Sequence, residues 1–327
     1  MRAPLVDGFG RVHTDLRLSL TDRCNLRCTY CMPAEGLDWL PSPELLTDDE
    51  LLRLVGVFAS MGVRTVRLTG GEPLLRRGLP GLVARLSELG LSLSLTTNGL
   101  GLARQAQALR DAGLSRVNVS LDTLRPERFL ELTRRNRFAD VVDGLRAAKL
   151  AGLDPVKVNT VLMRGVNDDE AADLLAWALE HGYALRFIEQ MPLDPQHGWD
   201  RANMVPADEI LEVLGRHVTL TAVEHRGSAP AEQFLVDGGP ATVGVVGSVT
   251  RPFCASCDRL RLTADGQVRN CLFARDESDL RAPLRSGASD DELADRLRVA
   301  VAGKKAGHGI GEPGFVQPDR PMSAIGG

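Results

Sequence analysis

The sequence LSLSLTTNGLGLARQAQALRDAGLSRVNVSLD at residues 91–122 contains the repeating unit of the predicted fold. Both ends of this stretch alternate apolar and polar residues, as β-strands with one buried face do, and the middle has a helical pattern. The stretch therefore predicts a strand at 91–97, a helix at 103–112 and a strand at 116–122. The order strand, helix, strand favours a right-handed crossover between parallel strands.

The same unit recurs through the first 200 residues. Thr47 and Glu50 form a capping-box pattern that opens a helix ending near Met61. Six strand and helix units fall short of the eight that close a complete barrel, so we expect an α/β fold with an incomplete (βα)6 barrel of parallel strands. The other predicted strands are 16–20, 64–69, 156–162 and 185–190, and the other predicted helices are 79–89, 141–151 and 170–181.

The remaining chain differs in character. A helix is predicted at 207–214, and strands at 218–224, 233–236 and 242–249, which indicates a smaller C-terminal α+β region. Ten of the last 25 residues are Gly or Pro, a composition typical of an irregular tail, and the plain interpretation of such a tail is a disordered end. We expect three parts, at 1–200, 201–302 and 303–327.

Alternation within the strands predicts a polar barrel interior. Strands buried on both faces of a parallel sheet are nearly continuous in Val, Ile and Leu, whereas these strands carry a polar residue at every second position. If the helices cover the apolar face, Arg17, Arg67 and Lys157 point into the barrel from three strands. A buried lysine needs an anionic partner, so the pattern predicts an anion site, with phosphate favoured. An antiparallel sheet with one face in water would alternate likewise, but the intervening helices disfavour it.

Composition excludes several classes of protein. The 327 residues have a formal net charge of -4, with 43% hydrophobic and 25% charged residues, as ordinary globular proteins do. No apolar run approaches the roughly 18 residues of a membrane-spanning helix, and the N-terminus lacks a secretory apolar segment. The acidic balance argues against a sequence-independent nucleic-acid binder. We expect a cytoplasmic protein with neither membrane nor nucleic acid as partner, in which the six cysteines serve metal binding or catalysis.

Three cysteines form a compact motif directly after the first strand. Cys24, Cys28 and Cys31 have the spacing C-x3-C-x2-C, and three thiolates in one short loop can hold three corners of a 4Fe-4S cluster. The fourth iron then stays open to a substrate or cofactor. The alternative is a structural zinc site, which usually takes four protein ligands, and no fourth Cys or His lies nearby in the sequence.

The other three cysteines, Cys254, Cys257 and Cys271, have the spacing C-x2-C-x13-C. A cluster that only relays electrons is ordinarily closed by four cysteines, so three predict a second 4Fe-4S cluster whose open iron can touch a substrate. A zinc site completed by a distant histidine, such as His225 or His308, is the alternative.

The first cysteine motif, with Tyr30 in its aromatic position, resembles the signature of the radical S-adenosylmethionine (SAM) superfamily. Gly70-Gly71-Glu72-Pro73 follows the second strand and resembles the superfamily loop that holds the methionyl amine of SAM. A Gly-Gly-Glu-Pro turn alone is ordinary loop chemistry, but its place one strand after the cysteines supports the resemblance. The superfamily has a partial parallel barrel, in agreement with the six units.

Further motifs are similar to those of one family in this superfamily, the GTP 3',8-cyclases of molybdenum cofactor biosynthesis. The similarity covers nearly the whole chain from residue 10 to 327, except for 224–239, and it implies that the C-terminal region covers the barrel opening and that the tail is functional. The motifs lie at 15–25, 67–73, 96–99, 118–122, 186–191, 253–261 and 322–327.

Carried over by position, the resemblance implies ligands for each group. Cys24, Cys28 and Cys31 would hold the cluster that cleaves SAM, and Cys254, Cys257 and Cys271 the second cluster. The implied SAM contacts are Tyr30, Gly71, Ser120 and Met191. The implied GTP contacts are Arg17, Arg67, Thr96, Lys157, Arg259, Leu260 and Arg261, with Gly326 and Gly327 letting the tail backbone reach into the cavity.

The resemblance also implies a reaction and its partners. A 5'-deoxyadenosyl radical from SAM takes the hydrogen at C3' of GTP, and C3' attacks guanine C8 to give 3',8-cyclo-7,8-dihydro-GTP. The implied partners are GTP, an electron donor of flavodoxin or ferredoxin type and the next enzyme, cyclic pyranopterin monophosphate synthase, and a homodimer is left open. The alternatives are a peptide-modifying radical SAM maturase with an auxiliary cluster and a non-enzymatic iron-sulfur or zinc protein.

Overall fold

The computed structural model describes residues 2–224 and 226–326. Six parallel strands lie side by side in sequence order at the centre of one sheet. All six predicted strands are confirmed, with ends that differ by at most two residues. They are β1 (Asp15–Ser19), β2 (Thr65–Thr69), β3 (Ser92–Thr97), β4 (Leu114–Ser120), β5 (Val156–Leu162) and β6 (Ala184–Glu189).

Helices connect these strands. The predicted capping box is present, since the Thr47 hydroxyl accepts from Glu50 N and the Glu50 carboxylate accepts from Thr47 N. One helix was not predicted, although Pro126 at its first position is a usual helix-start signal. The helices are α1 (Asp48–Ser60), α2 (Leu79–Ser87), α3 (Leu102–Asp111), the unpredicted α4 (Pro126–Thr133), α5 (Phe138–Leu150) and α6 (Ala171–His181).

The alternating apolar residues of the strands face the helices. Leu16 and Leu18 of β1 and Leu93 and Leu95 of β3 are fully buried, and they belong to one core with helix residues such as Phe58. Because side chains alternate along a strand, the polar residues between them lie on the opposite face of the sheet. The core therefore lies between sheet and helices, and the polar face is left for the site.

Strands after residue 200 extend both edges of this sheet instead of forming a separate layer. Three strands that the sequence predicts lie beside β6, where β9 pairs in parallel. Three strands that it does not predict lie beside β1, where β10 pairs in parallel. The first group comprises β7 (Leu220–Ala222), β8 (Glu232–Val236) and β9 (Thr242–Val246), and the second β10 (Arg259–Leu262), β11 (Gln267–Arg269) and β12 (Ser278–Asp279).

The twelve strands run in one sheet from β12 at one edge to β7 at the other, and no pairing among the described residues closes it into a barrel. The C-terminal helices are α7 (Ala207–Gly215), α8 (Arg281–Arg285), α9 (Asp290–Ala302) and α10 (Met322–Ile325). Of these, α7 was predicted. None of the described helices is long and apolar enough to span a membrane.

Candidate active site

Both cysteine sets line one cavity of about 340 Å³ on the polar face of the sheet. Their places follow from strand direction. Cys24 comes after the carboxyl end of β1, whereas Cys257 comes just before the amino end of β10, which runs parallel to β1. Cys271 follows β11, which is antiparallel to β10, so it returns to the same end as Cys257. The two sets therefore lie at opposite ends of the strands, separated by the length of five residues, roughly 16 Å.

The first cysteine loop is held by the Gly-Gly-Glu-Pro turn. Gly71 N donates a 2.7 Å hydrogen bond to Thr21 O, and Glu72 N donates one of 2.8 Å to Arg23 O. A Cβ at Gly70 would overlap Thr21 O, and a Cβ at Gly71 would overlap the carbonyl oxygen of Arg23. Both glycines are thus required by the close approach of two backbones.

Glu72 of this turn is fully buried, and its carboxylate is hydrogen-bonded within the protein. Its carboxylate accepts from Leu74 N at 2.9 Å, from Thr97 Oγ1 at 2.7 Å and from Asn98 N at 2.7 Å. Burial raises the pKa of Glu72 to about 7 despite these three donors. The Glu72 carboxylate therefore links the ends of β2 and β3. Gly70 and Gly71 are the residues of the turn that line the cavity.

Two side chains from other elements fix the rest of the cysteine loop. Arg134 Nη1 donates to Arg27 O at 2.8 Å and to Met32 O at 3.2 Å. Tyr30 Oη donates a 2.8 Å hydrogen bond to Asp122 Oδ2, just beyond β4. Burial raises the pKa of Asp122 to about 6. The Gly-Gly-Glu-Pro turn, Arg134 and Asp122 together hold the cysteine loop in place.

The six cysteines are all free thiols. Burial raises the pKa of Cys24 to about 11, and the hydrogen bond with Cys31, together with burial, raises the pKa of Cys28. Such thiols are inert until a metal or cluster displaces their protons. Within 2–224 and 226–326, no three His, Cys, Asp or Glu side chains are arranged to hold a single metal ion.

A row of cations crosses the sheet between the two cysteine sets. In the strand register, Arg261 of β10 is paired with Arg17 of β1, and Arg17 with Arg67 of β2. Ser94 of β3 continues the row to Arg116 of β4. Side chains paired across parallel strands lie on the same face, so four arginines share one layer of the polar face.

This cationic row, with Lys157, Arg186 and Arg259 beside it, carries little counter-charge. Its ion pair among the described residues is Arg17 to Asp15, at 3.1 Å. Burial, reinforced by neighbouring arginines, lowers the pKa of Lys157 to about 7, and burial with Arg17 and Arg259 lowers that of Arg261 to about 9. Arg17 Nη1 and Arg67 Nε are buried without a partner in the described structure. Buried cationic donors without protein partners suit a polyanionic ligand.

The predicted SAM contacts Tyr30, Gly71, Ser120 and Met191 all line the cavity. Asn159 Oδ1, also on its wall, is buried without a partner among the described residues. An orphaned acceptor and three free thiols on the wall of one cavity fit a polar ligand and an iron-sulfur cluster.

Five of the seven predicted GTP contacts line the cavity, and Lys157 and Leu260 do not. Arg17, Arg67, Thr96, Arg259 and Arg261 line the cavity, and Lys157 lies on the same face, in register with Asn118. Leu260, by contrast, is fully buried in the hydrophobic core on the other face of β10. Its side chain does not reach the cavity, because it alternates with the two neighbouring arginines.

Sequence reasoning missed two cations of this site, Arg116 and Arg186. Both lie on the polar face, and burial lowers the pKa of Arg186 to about 10. The alternation used for the other strands would have found them, since Arg116 lies two residues before Asn118 and Arg186 lies between Leu185 and Phe187.

Lys304 was also missed, and it contacts the second cysteine set. Its Nζ lies 3.5 Å from Cys257 Sγ and donates a 2.7 Å hydrogen bond to Arg259 O. Burial alone would raise the pKa of Cys257, but the charges of Arg259 and Lys304 outweigh it and lower that pKa to about 7. No spacing in the sequence relates residue 304 to residue 257.

The structure describes one of the two histidines named as alternative zinc ligands. His308 lines the cavity, with its ring edge-on to Phe273 at a centroid distance of 5.2 Å. Its Nδ1 accepts a 3.2 Å hydrogen bond from Ile310 N, and its Nε2 is buried without a partner in the described structure. His225 lies outside the described residues.

The described part of the tail is packed, in contrast with the disordered end that its composition favours. Ile325 is fully buried, and Arg320 forms two hydrogen bonds with Asp265, at 3.0 and 2.8 Å. Arg261 donates to the carbonyl oxygen of Gly326, whose Cβ position would overlap the Thr69 hydroxyl. The tail thus reaches the cationic row, while Gly327 lies outside the described residues.

The parallel sheet, the cysteine loop and the Gly-Gly-Glu-Pro turn define a radical SAM protein. Residues 18–178 match the model of the radical SAM superfamily, and residues 183–310 match that of Molybdenum Cofactor Synthesis C. The crystal structure of Streptococcus suis SuiB bound to S-adenosylmethionine has a TM-score of 0.60 at 14% identity, covering 90% of this chain and 74% of that chain, and shows the same fold.

Proteins of similar sequence identify the family within this superfamily. A GTP 3',8-cyclase of Streptomyces coelicolor is 66% identical, over 99% of this chain and 96% of that protein. One of Mycolicibacterium smegmatis is 57% identical, over 99% of this chain and 92% of that protein. The chain belongs to the GTP 3',8-cyclase family of radical SAM enzymes.

Proposed function

We propose that this protein converts GTP to 3',8-cyclo-7,8-dihydro-GTP, the opening step of molybdenum cofactor biosynthesis. The observation that carries the proposal is the row of Arg261, Arg17 and Arg67, which lines one cavity together with two sets of three cysteines. A nucleoside triphosphate matches this arrangement, because its phosphates neutralise the cations while its base extends toward one end.

At the carboxyl end of β1, Cys24, Cys28 and Cys31 would hold a 4Fe-4S cluster, with SAM against Tyr30, Gly71, Ser120 and Met191. Bound there, the cluster and SAM would supply the radical chemistry needed to remove the hydrogen at C3' of GTP. The protein would position the cluster and SAM, since the cysteine loop is held by the Gly-Gly-Glu-Pro turn and by Arg134.

At the other end, Cys254, Cys257 and Cys271 would hold a second 4Fe-4S cluster beside the guanine. Arg17, Arg67 and Lys157 would donate charge-assisted hydrogen bonds to the triphosphate from three strands. The Gly326 backbone, whose carbonyl oxygen accepts a hydrogen bond from Arg261, would close the cavity wall between the two cluster sites. It would exclude water from the reacting carbon.

The finer architecture belongs to the same proposal. β1 to β6 with their helices would form an incomplete (βα)6 barrel in 1–200, which 201–302 covers at its opening and 303–327 completes as a functional tail. The sequential parallel order of the six strands supports this. A cytoplasmic location, a flavodoxin or ferredoxin type electron donor, transfer of product to cyclic pyranopterin monophosphate synthase and a homodimer complete the proposal.

The deciding experiment uses GTP with deuterium at C3'. After anaerobic reconstitution with iron and sulfide, the protein is mixed with SAM, a reductant and the labelled GTP. Deuterium should appear in 5'-deoxyadenosine, measured by mass spectrometry. If both clusters are intact and the label stays in GTP, the cyclase proposal is wrong. A peptide-modifying maturase would have no use for the cationic row.

A further inference from the structure

A second cavity, of about 320 Å³, lies behind the first cysteine loop. Its wall contains Asn25 from that loop, Leu75 and Leu100 after β2 and β3, Arg104 of α3, and residues 135–137 from the connection between α4 and α5. We call this surface the posterior face. Leu75 is 44% exposed, so the posterior face presents an apolar side chain to solvent.

The rim of the posterior face is cationic. Arg104, Arg135 and Arg137 are all exposed, and none of the described residues that line the cavity is acidic. Arg137 forms an ion pair with Asp140, whereas Arg104 and Arg135 form none within the described part of the chain. A local positive surface on a protein of net charge -4 therefore stands out as a place for an acidic partner.

One residue connects the posterior face to the first cysteine set. Asn98 Nδ2 donates a 2.7 Å hydrogen bond to Asn25 Oδ1, which lines the posterior face, and lies 3.8 Å from Cys24 Sγ. Cys24 itself lines the substrate cavity on the other side. Asn25 and Asn98 thus form a continuous hydrogen-bonded path from the posterior face to Cys24.

We infer that the posterior face docks a small acidic protein that carries one electron at a time. The inference rests on the proposed function, because each cleavage of SAM consumes one electron, which the reduced carrier loses and the cluster gains. An exposed leucine on the same surface as three exposed arginines suits a brief, electrostatically steered encounter, in which opposite charges set the rate and orientation and a small apolar contact is released quickly.

The test uses the reconstituted holoenzyme with a reduced acidic flavodoxin as the probe. Arg104→Glu and Arg135→Glu are combined in one variant, and the combination of Arg296→Glu with Arg298→Glu, two exposed arginines of α9, serves as the charge-matched control. Two quantities are measured at low and high salt: the Kd of the flavodoxin, and the rate of 5'-deoxyadenosine formation with either flavodoxin or dithionite as reductant.

The double variant should raise the Kd about tenfold or more at low salt and much less at high salt, because screening weakens exposed charges. Its rate with dithionite should equal that of the wild type, and the control should change neither quantity. A wild-type Kd in the double variant, or an equal loss with dithionite, would overturn the inference. Failure of the wild type to cyclise GTP with dithionite would instead count against the proposed function.

Discussion

Lys304 Nζ lies 3.5 Å from Cys257 Sγ, so a buried ammonium group stands directly beside the second cysteine set. Together with Arg259, it lowers the pKa of Cys257 to about 7, against the effect of burial. The thiolate is the form that binds metal, so Lys304 prepares this cysteine for a cluster.

Replacing Lys304 by Met should raise the pKa of Cys257 toward the ordinary thiol value of about 8.5, because the ammonium charge that favours the thiolate is lost. The measurement is the pH dependence of Cys257 alkylation in metal-free protein, followed by peptide mass spectrometry. Lys304→Arg should retain the low pKa, and Lys305→Met, at the exposed neighbouring position, is the control. An identical pH profile in Lys304→Met would show that Arg259 acts alone.

GTP binding should take up protons at pH 8. Burial and the charges of Arg186, Arg116 and Arg67 lower the pKa of Lys157 to about 7, so the free protein holds it mostly neutral at that pH. A bound triphosphate favours the charged lysine and raises this pKa. The affinity for GTP should therefore fall as pH rises from about 7 to 9. Calorimetry in two buffers of different ionisation enthalpy measures the uptake.

Lys157→Met should abolish that proton uptake and weaken GTP binding about tenfold to a hundredfold, the range for loss of one hydrogen bond to a charged group. Cluster absorbance should be unchanged, since Lys157 is not one of the predicted cluster ligands. Lys305→Met is again the control. Wild-type affinity in Lys157→Met would place the triphosphate away from β5.

Cys271→Ala should abolish the cyclised product while SAM still binds. The physical reason is that Cys271 lies at the opposite end of the strands from Cys24. SAM binding is measured by equilibrium dialysis and the product by mass spectrometry, with Cys24→Ala as the variant expected to lose SAM cleavage. Loss of SAM binding in Cys271→Ala would contradict the separation of the two ends.

Gly326→Ala should reduce cyclised product by about tenfold or more, because the added methyl group overlaps the Thr69 hydroxyl and the residue has a φ of 86°. Gly311→Ala in the same tail has no atom within 4 Å of the added Cβ and is the control. Thermal stability of both variants should stay close to that of the wild type. Full product formation by Gly326→Ala would show that the tail backbone is not part of the site.

Much of the fold could be predicted because its signals are local. Strand periodicity located β1 to β6, and the Thr47 and Glu50 pair located the start of α1. The elements that were missed also carried local signals. Ser289 and Glu292 form a capping box at α9 like the one at α1, and Pro126 opens α4. Strand β10 likewise alternates Arg and Leu over its four residues, whereas β11 and β12, with three and two residues, are too short to show a period.

The sequence by itself determined the two cysteine triplets and, through alternation, which face of each strand is polar, because both depend on the spacing of residues along one chain. The tertiary structure decided which of these residues meet. Strand register aligned Arg261, Arg17 and Arg67, and helix packing brought Lys304 to Cys257. Such contacts join residues far apart in sequence, and they depend on long-range pairing that no local period encodes.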